Sequence, residues 1–152
     1  MTAISETIKT ISGLYNEDYY LWLQQNLELL RLHKFSDVDW ENLLEEIADM
    51  GKSEKRAITS NLRILLMHLL KYKYQSDKQT NSWLFTIREH RKRLREVLKM
   101  SPSLKSYYLD VFAESYQDAR ELAADETGLA INTFPADAPF TSEDAINPDY
   151  LP

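Results

Sequence analysis

A chain of 152 residues with 43% hydrophobic and 28% charged residues has the composition of one globular domain and the mass to bury a core unaided. It contains no cysteine, which excludes disulfides, thiolate metal sites and cysteine nucleophiles and fits a reducing cytoplasm. The formal net charge of −6 repels phosphates at long range and disfavours nucleic acid as a partner.

The N-terminal stretch mixes Ser, Thr, Glu and Lys with isolated Ile and lacks a signal-peptide core. Residues 1–14 therefore read as a flexible leading segment of a cytoplasmic protein. The dense apolar run from Ile64 to Leu70 is far short of the roughly 20 residues of a membrane span. Gly13, Gly51 and Gly128 are the only glycines, the first proline is Pro102, and no Asn-Gly or Asp-Gly turn occurs. Helices are the expectation throughout.

A first helix is predicted over 16–32, capped by Asn16, with Tyr19, Leu23, Leu27 and Leu30 on its inner face. Asp39 caps a second helix that Gly51 stops, with Trp40, Leu43, Leu44 and Ile47 inward. A third runs from Ser53 to about Tyr74 on Ile58, Leu62, Leu65 and Leu69, and a fourth from about Ser82 on Trp83, Ile87, Leu94 and Leu98. Ser101-Pro102 starts a fifth that Gly128 ends. Beyond it, prolines 135, 139, 148 and 152 make residues 129–152 an extended tail, pinned to the helices by Phe134, Phe140 and Tyr150. The fold class is an all-α antiparallel bundle of four to five helices with a docked C-terminal tail, in one domain over 1–152.

Several motifs recur together in order: Asp39-Trp40-Glu41-Asn42-Leu43 with Glu45-Glu46-Ile47, Leu65-Leu66-Met67-His68-Leu69-Leu70-Lys71, Ser82-Trp83 with Arg91, Ser101-Pro102, Glu126-Thr127-Gly128-Leu129, and Pro148-Asp149-Tyr150-Leu151-Pro152. From Tyr15 onward the chain resembles the bacterial, largely cyanobacterial, domain of unknown function 29 family. The resemblance implies a helical cytoplasmic protein and carries no activity, cofactor or catalytic residue. Where that family often has Cys before the tail proline, this chain has Ala138-Pro139.

Charge is strongly segregated. Residues 1–51 hold three basic residues against ten acidic, a net of −7; residues 52–105 hold fourteen against four, a net of +10; residues 106–152 hold one against ten, a net of −9. Either the basic middle is neutralised by acidic neighbours within the bundle, or its cluster Arg88, Arg91, Lys92, Arg95 and Lys99 receives an anion. A third constellation, Glu45 and Glu46 with His68, is the pattern of a carboxylate–histidine metal site. Glu-x-x-His spacing is missing, however, and His68 and His90 read as core histidines, with Trp83 on the same inward face as His90. No nucleophile elbow, Walker loop or glycine-rich turn is present, so no catalytic set can be assembled and no cofactor is implied. The leading reading is a non-enzymatic module for self-association or an unidentified protein partner. An anion or nucleic-acid binder and a metal-binding bundle are the alternatives.

Overall fold

A computed structural model of the chain describes residues 10–152. The proposed leading segment falls largely outside them, and from Ile11 onward the chain is already helical. The elements are α1 (Ile11–Glu17), α2 (Tyr19–Arg31), α3 (Trp40–Tyr74), α4 (Asn81–Met100), α5 (Lys105–Thr127) and α6 (Ser142–Ile146), with short 3-10 turns between them. No strand occurs among the described residues, and none of their helices is long and apolar enough to cross a membrane. The fold is an all-α bundle, organised as two compact units, Met1–Gly51 and Lys52–Pro152.

In the first unit the predicted helix over 16–32 is two helices. Asp18 leaves the helical conformation, and its carboxylate accepts from the Leu21 amide to cap α2. The inner face of α2 is Trp22 and Asn26; Tyr19, Leu23 and Leu27 are exposed. A polar network explains this inversion. Trp22 Nε1 donates to Asp39 Oδ2 at 2.8 Å, the Asp39 amide donates to Asn26 Oδ1 at 2.9 Å, and Asn42 Nδ2 also donates to Asp39. Burial pushes the Asp39 carboxyl up, but the hydrogen bonds from Asn42 and Trp22 outweigh it and hold the group below its ordinary value. α2 ends in a Schellman motif, with the Lys34 amide on the Leu29 carbonyl and the His33 amide on Leu30. His33 takes the left-handed conformation, at φ 57°, that glycine usually fills there.

The predicted second and third helices are one, the 35-residue α3. Gly51 does not stop it because nothing around that residue calls for a turn. The polar run from Lys52 to Arg56 is exposed and carries good helix formers, so the backbone continues in helical form.

In the second unit, Lys71 of α3 meets Trp83 of α4 while Asn61 meets His90, so these two helices run antiparallel. Lys55 meets Tyr107, and Lys71 meets Glu126, which makes α5 parallel to this part of α3. The core contains Ile58, Leu62, Leu65, Leu69, Ile87 and Leu94 with Tyr108, Tyr116 and Ala119. Ser101 makes no side-chain cap bond; Pro102–Leu104 forms a 3-10 turn, and α5 starts only at Lys105. Gly128 closes α5 at φ 71°, a left-handed cap suited to glycine.

The tail is docked. Phe134 and Phe140 are buried in the core, with Tyr150 packed against it. Several of its main-chain carbonyls accept hydrogen bonds from side chains of the helices, in place of a strand partner. Tyr108 donates to Ser142, Tyr116 to Pro135, Gln117 to Ala136 and Arg120 to Phe134. Thr141 and Asp144 form a capping box for α6.

The continuity of α3 is testable at Gly51, where an added Cβ meets nothing within 4 Å. Gly51→Ala should raise stability by about 0.5–1 kcal/mol in denaturant unfolding, because it removes the entropic cost of a mid-helix glycine. A loss of stability would show that Gly51 ends a helix after all.

Candidate functional site

Helical geometry sorts the basic cluster of α4. Arg88, Lys92, Arg95 and Lys99 recur at i, i+4, i+7 and i+11, so they form one stripe about three turns long. Arg91 lies just off that line on the inward side and is 3% exposed. Arg93 points to the other side and pairs with Glu89 at 3.0 Å.

The stripe and Arg91 line a cleft of about 870 Å³, near the upper end of small-molecule sites. Lys105, from the first turn of α5, adds a sixth cation, and Glu96 is the one carboxylate in the lining. The rest of the lining is apolar: Leu98 and Pro102, with Ile146 and Pro148 of the tail.

The cations divide by what they already hold. Arg91 donates from Nε to the Ala145 carbonyl at 2.9 Å and from Nη2 to the Tyr150 carbonyl at 3.0 Å. Arg95 donates from Nη1 to the Ile146 carbonyl at 2.9 Å. The carbonyls of Ala145 and Ile146 stand at the C-terminal end of α6, where a helix leaves acceptors open. Burial, and then the charge of Arg95, pull the Arg91 guanidinium below its ordinary value, yet arginine stays cationic at neutral pH.

The remaining cations are less engaged. Lys92 reaches Glu96 only at 4.0 Å, with both side chains mostly in solvent, and such a pair contributes little. Lys105 lies over the Tyr108 ring at 5.2 Å. Among the described residues, no ion pair or side-chain hydrogen bond involves Arg88 or Lys99. Like charges one helical turn apart repel one another, so the stripe is electrostatically unsatisfied in the free protein. Neutralisation by the acidic segments, the expectation from charge layout, is realised among the described residues by one ion pair between helices, Lys71 with Glu126 at 2.7 Å.

The carboxylate–histidine constellation is divided between the two units, with Glu45 and Glu46 in the first and His68 in the second. Glu46 accepts hydrogen bonds from Tyr15 and Tyr19, which hold its carboxyl below the ordinary value. The same contact, reinforced by burial, pushes the Tyr15 phenol up to about 12. Glu45 is exposed. Among the described residues, no group of three His, Asp or Glu side chains is placed to hold a metal.

His68 instead shares a hydrogen bond between Nδ1 and the Ile64 carbonyl at 3.0 Å, and His90 one between Nδ1 and Asn61 Oδ1 at 2.8 Å. Burial lowers both imidazoles from their ordinary values. Trp83 lies beneath the buried Lys71 ammonium, 4.4 Å from Nζ to the ring centroid, a cation–π contact.

Six cleft residues, Glu96, Leu98, Pro102, Lys105, Ile146 and Pro148, are not singled out as site residues by the sequence. Lys105 was within reach, because a turn at Ser101-Pro102 folds the next helix start back beside the last turns of α4. Nothing local in Ile146 or Pro148 signals that the tail returns to this helix.

Compared with known protein families, residues 14–151 match the family described as Domain of unknown function DUF29, and the chain belongs to that family. No curated protein and no solved structure matches it.

The division among the cations has a measurable consequence. Arg91→Ala should cost about 2–4 kcal/mol in denaturant unfolding, through lost charged hydrogen bonds to the tail and lost packing. Arg88→Ala with Lys99→Ala should stay within about 0.5 kcal/mol of wild type or gain stability. Equal losses in both variants would show that the stripe is structural throughout.

Proposed function

We propose that this member of the DUF29 family is a non-enzymatic cytoplasmic binding protein whose cleft on α4 receives an anion. The observation that carries the reading is the cleft lining, in which six cations meet one carboxylate and Arg88 and Lys99 hold no partner among the described residues. Cations spaced along one helix face and backed by low-dielectric protein concentrate positive potential locally, even where net charge is negative. The overall −6 argues against a long nucleic acid and favours a ligand small enough to sit within the cleft.

Titration with inorganic pyrophosphate in low salt should show binding that weakens as salt rises. The double variant Arg88→Ala with Lys99→Ala should lose at least about ten-fold in affinity, or about 1.4 kcal/mol. Binding unaffected by salt and by the double variant would sink this reading.

The first unit supports a second reading, a protein-docking role. Tyr19, Leu23 and Leu27 on α2, and Trp40, Leu44 and Ile47 on α3, are exposed large apolar residues on a segment whose net charge is −7. Apolar stripes beside acidic side chains suit a basic amphipathic helix. A synthetic Lys/Leu helix should bind the full chain and lose at least about ten-fold in affinity for Leu23→Gln with Leu27→Gln. An unchanged affinity removes this reading.

A further inference from the structure

We infer that the ligand of the α4 cleft is amphipathic: a phosphate ester with an apolar body. The inference rests on the anion-binding reading and adds the ligand's chemical class. It comes from the four lining residues that the charges do not explain. Leu98 and Pro102 face the cleft from the end of α4 and the turn after it, and Ile146 and Pro148 face it from the tail. A site for a bare, strongly hydrated anion gains nothing from four apolar walls, since hydrated ligands leave such surface wet. A ligand that covers it gains the free energy of removing apolar area from water.

Charge sets the head group. Arg91 is committed to the Ala145 and Tyr150 carbonyls, and one Arg95 nitrogen to Ile146. Arg88, Lys99, Lys105, the weakly paired Lys92 and the outer nitrogens of Arg95 are left for a ligand. Several cations against Glu96 alone match the double charge of a phosphate monoester better than a single carboxylate. The guanidiniums offer paired donors and the ammoniums offer point charges, a combination suited to phosphate oxygens. The volume, about 870 Å³, admits both a head group and a chain or ring of several carbons. The same chemistry arises in a soluble alkyl or aryl phosphate and in the head group of a phosphatidic-acid-type lipid.

Calorimetric titration of the full chain with butyl, hexyl and octyl phosphate, alongside inorganic phosphate, tests the assignment. Affinity should rise by up to about four-fold per methylene, the equivalent of about 0.8 kcal/mol, and octyl phosphate should exceed inorganic phosphate by well over ten-fold. Sodium octanoate should bind at least several-fold more weakly than octyl phosphate. Co-sedimentation with phosphatidylcholine vesicles containing phosphatidic acid, but not with phosphatidylcholine alone, would assign the head group to a membrane. Octyl phosphate binding without co-sedimentation would assign it to a free phosphate ester; both outcomes support the inference. Ile146→Ala should flatten the chain-length dependence, and the wild-type series decides the question if that variant fails to fold. Equal affinity for inorganic and alkyl phosphates, or for octanoate and octyl phosphate, overturns the inference and leaves a simple anion site. Absence of binding by any of these anions overturns the anion-binding reading with it.

Discussion

Arg91 is almost fully buried and meets no carboxylate among the described residues; two of its nitrogens are spent on main-chain carbonyls of the tail. A guanidinium taken out of water costs several kcal/mol unless its donors are matched, and open carbonyls at the end of a short helix carry the converse penalty. Each deficit resolves the other, so the tail is fixed at residues 145 and 150 as firmly as the arginine is fixed in the core. The cleft follows from this exchange. With the tail held there, Ile146 and Pro148 become part of the wall of a cleft that the exposed outer cations of α4 also line.

What was legible in the sequence is what depends on local pattern. The third-helix stripe Ile58, Leu62, Leu65 and Leu69 is buried throughout, because a long 3.6-residue repeat in a glycine-free segment admits one interpretation. Phe134 and Phe140 were legible as anchors because large apolar groups between prolines have no reason to remain in water. Gly51 misled, since glycine as a helix stop is a frequency, not a force, and the flanking residues here favour helix. On α2, hydrophobic periodicity picked Tyr19, Leu23 and Leu27, whereas the buried face is Trp22 and Asn26. A polar residue hydrogen-bonded at both ends can be interior without an apolar signature, and periodicity alone cannot see it. The basic stripe was legible as residues but not as a cleft, because its far wall comes from more than 40 positions downstream.

The two units are built on different chemistry. The second has a continuous apolar core that includes two aromatic groups from the tail. The first buries only Leu14, Trp22 and Val38 among its described apolar residues, and is knit by Trp22, Asn26, Asn42 and Asp39 together with the Tyr15 and Tyr19 hydroxyls on Glu46. A segment this small gains little from burial alone. Directional hydrogen bonds specify its geometry, and several of its large apolar side chains stay exposed.

The three tryptophans occupy unlike surroundings. Trp22 is buried and hydrogen-bonded to a carboxylate, Trp40 is half in solvent with its indole nitrogen on the Phe35 carbonyl, and Trp83 lies under an ammonium. An indole's emission colour follows the charge and water around its ring, so the protein carries three intrinsic fluorophores of distinct spectral character. Two lie in the first unit and one in the second. Single-tryptophan versions of the chain therefore provide optical reporters that separate the melting of one unit from the other without any added label.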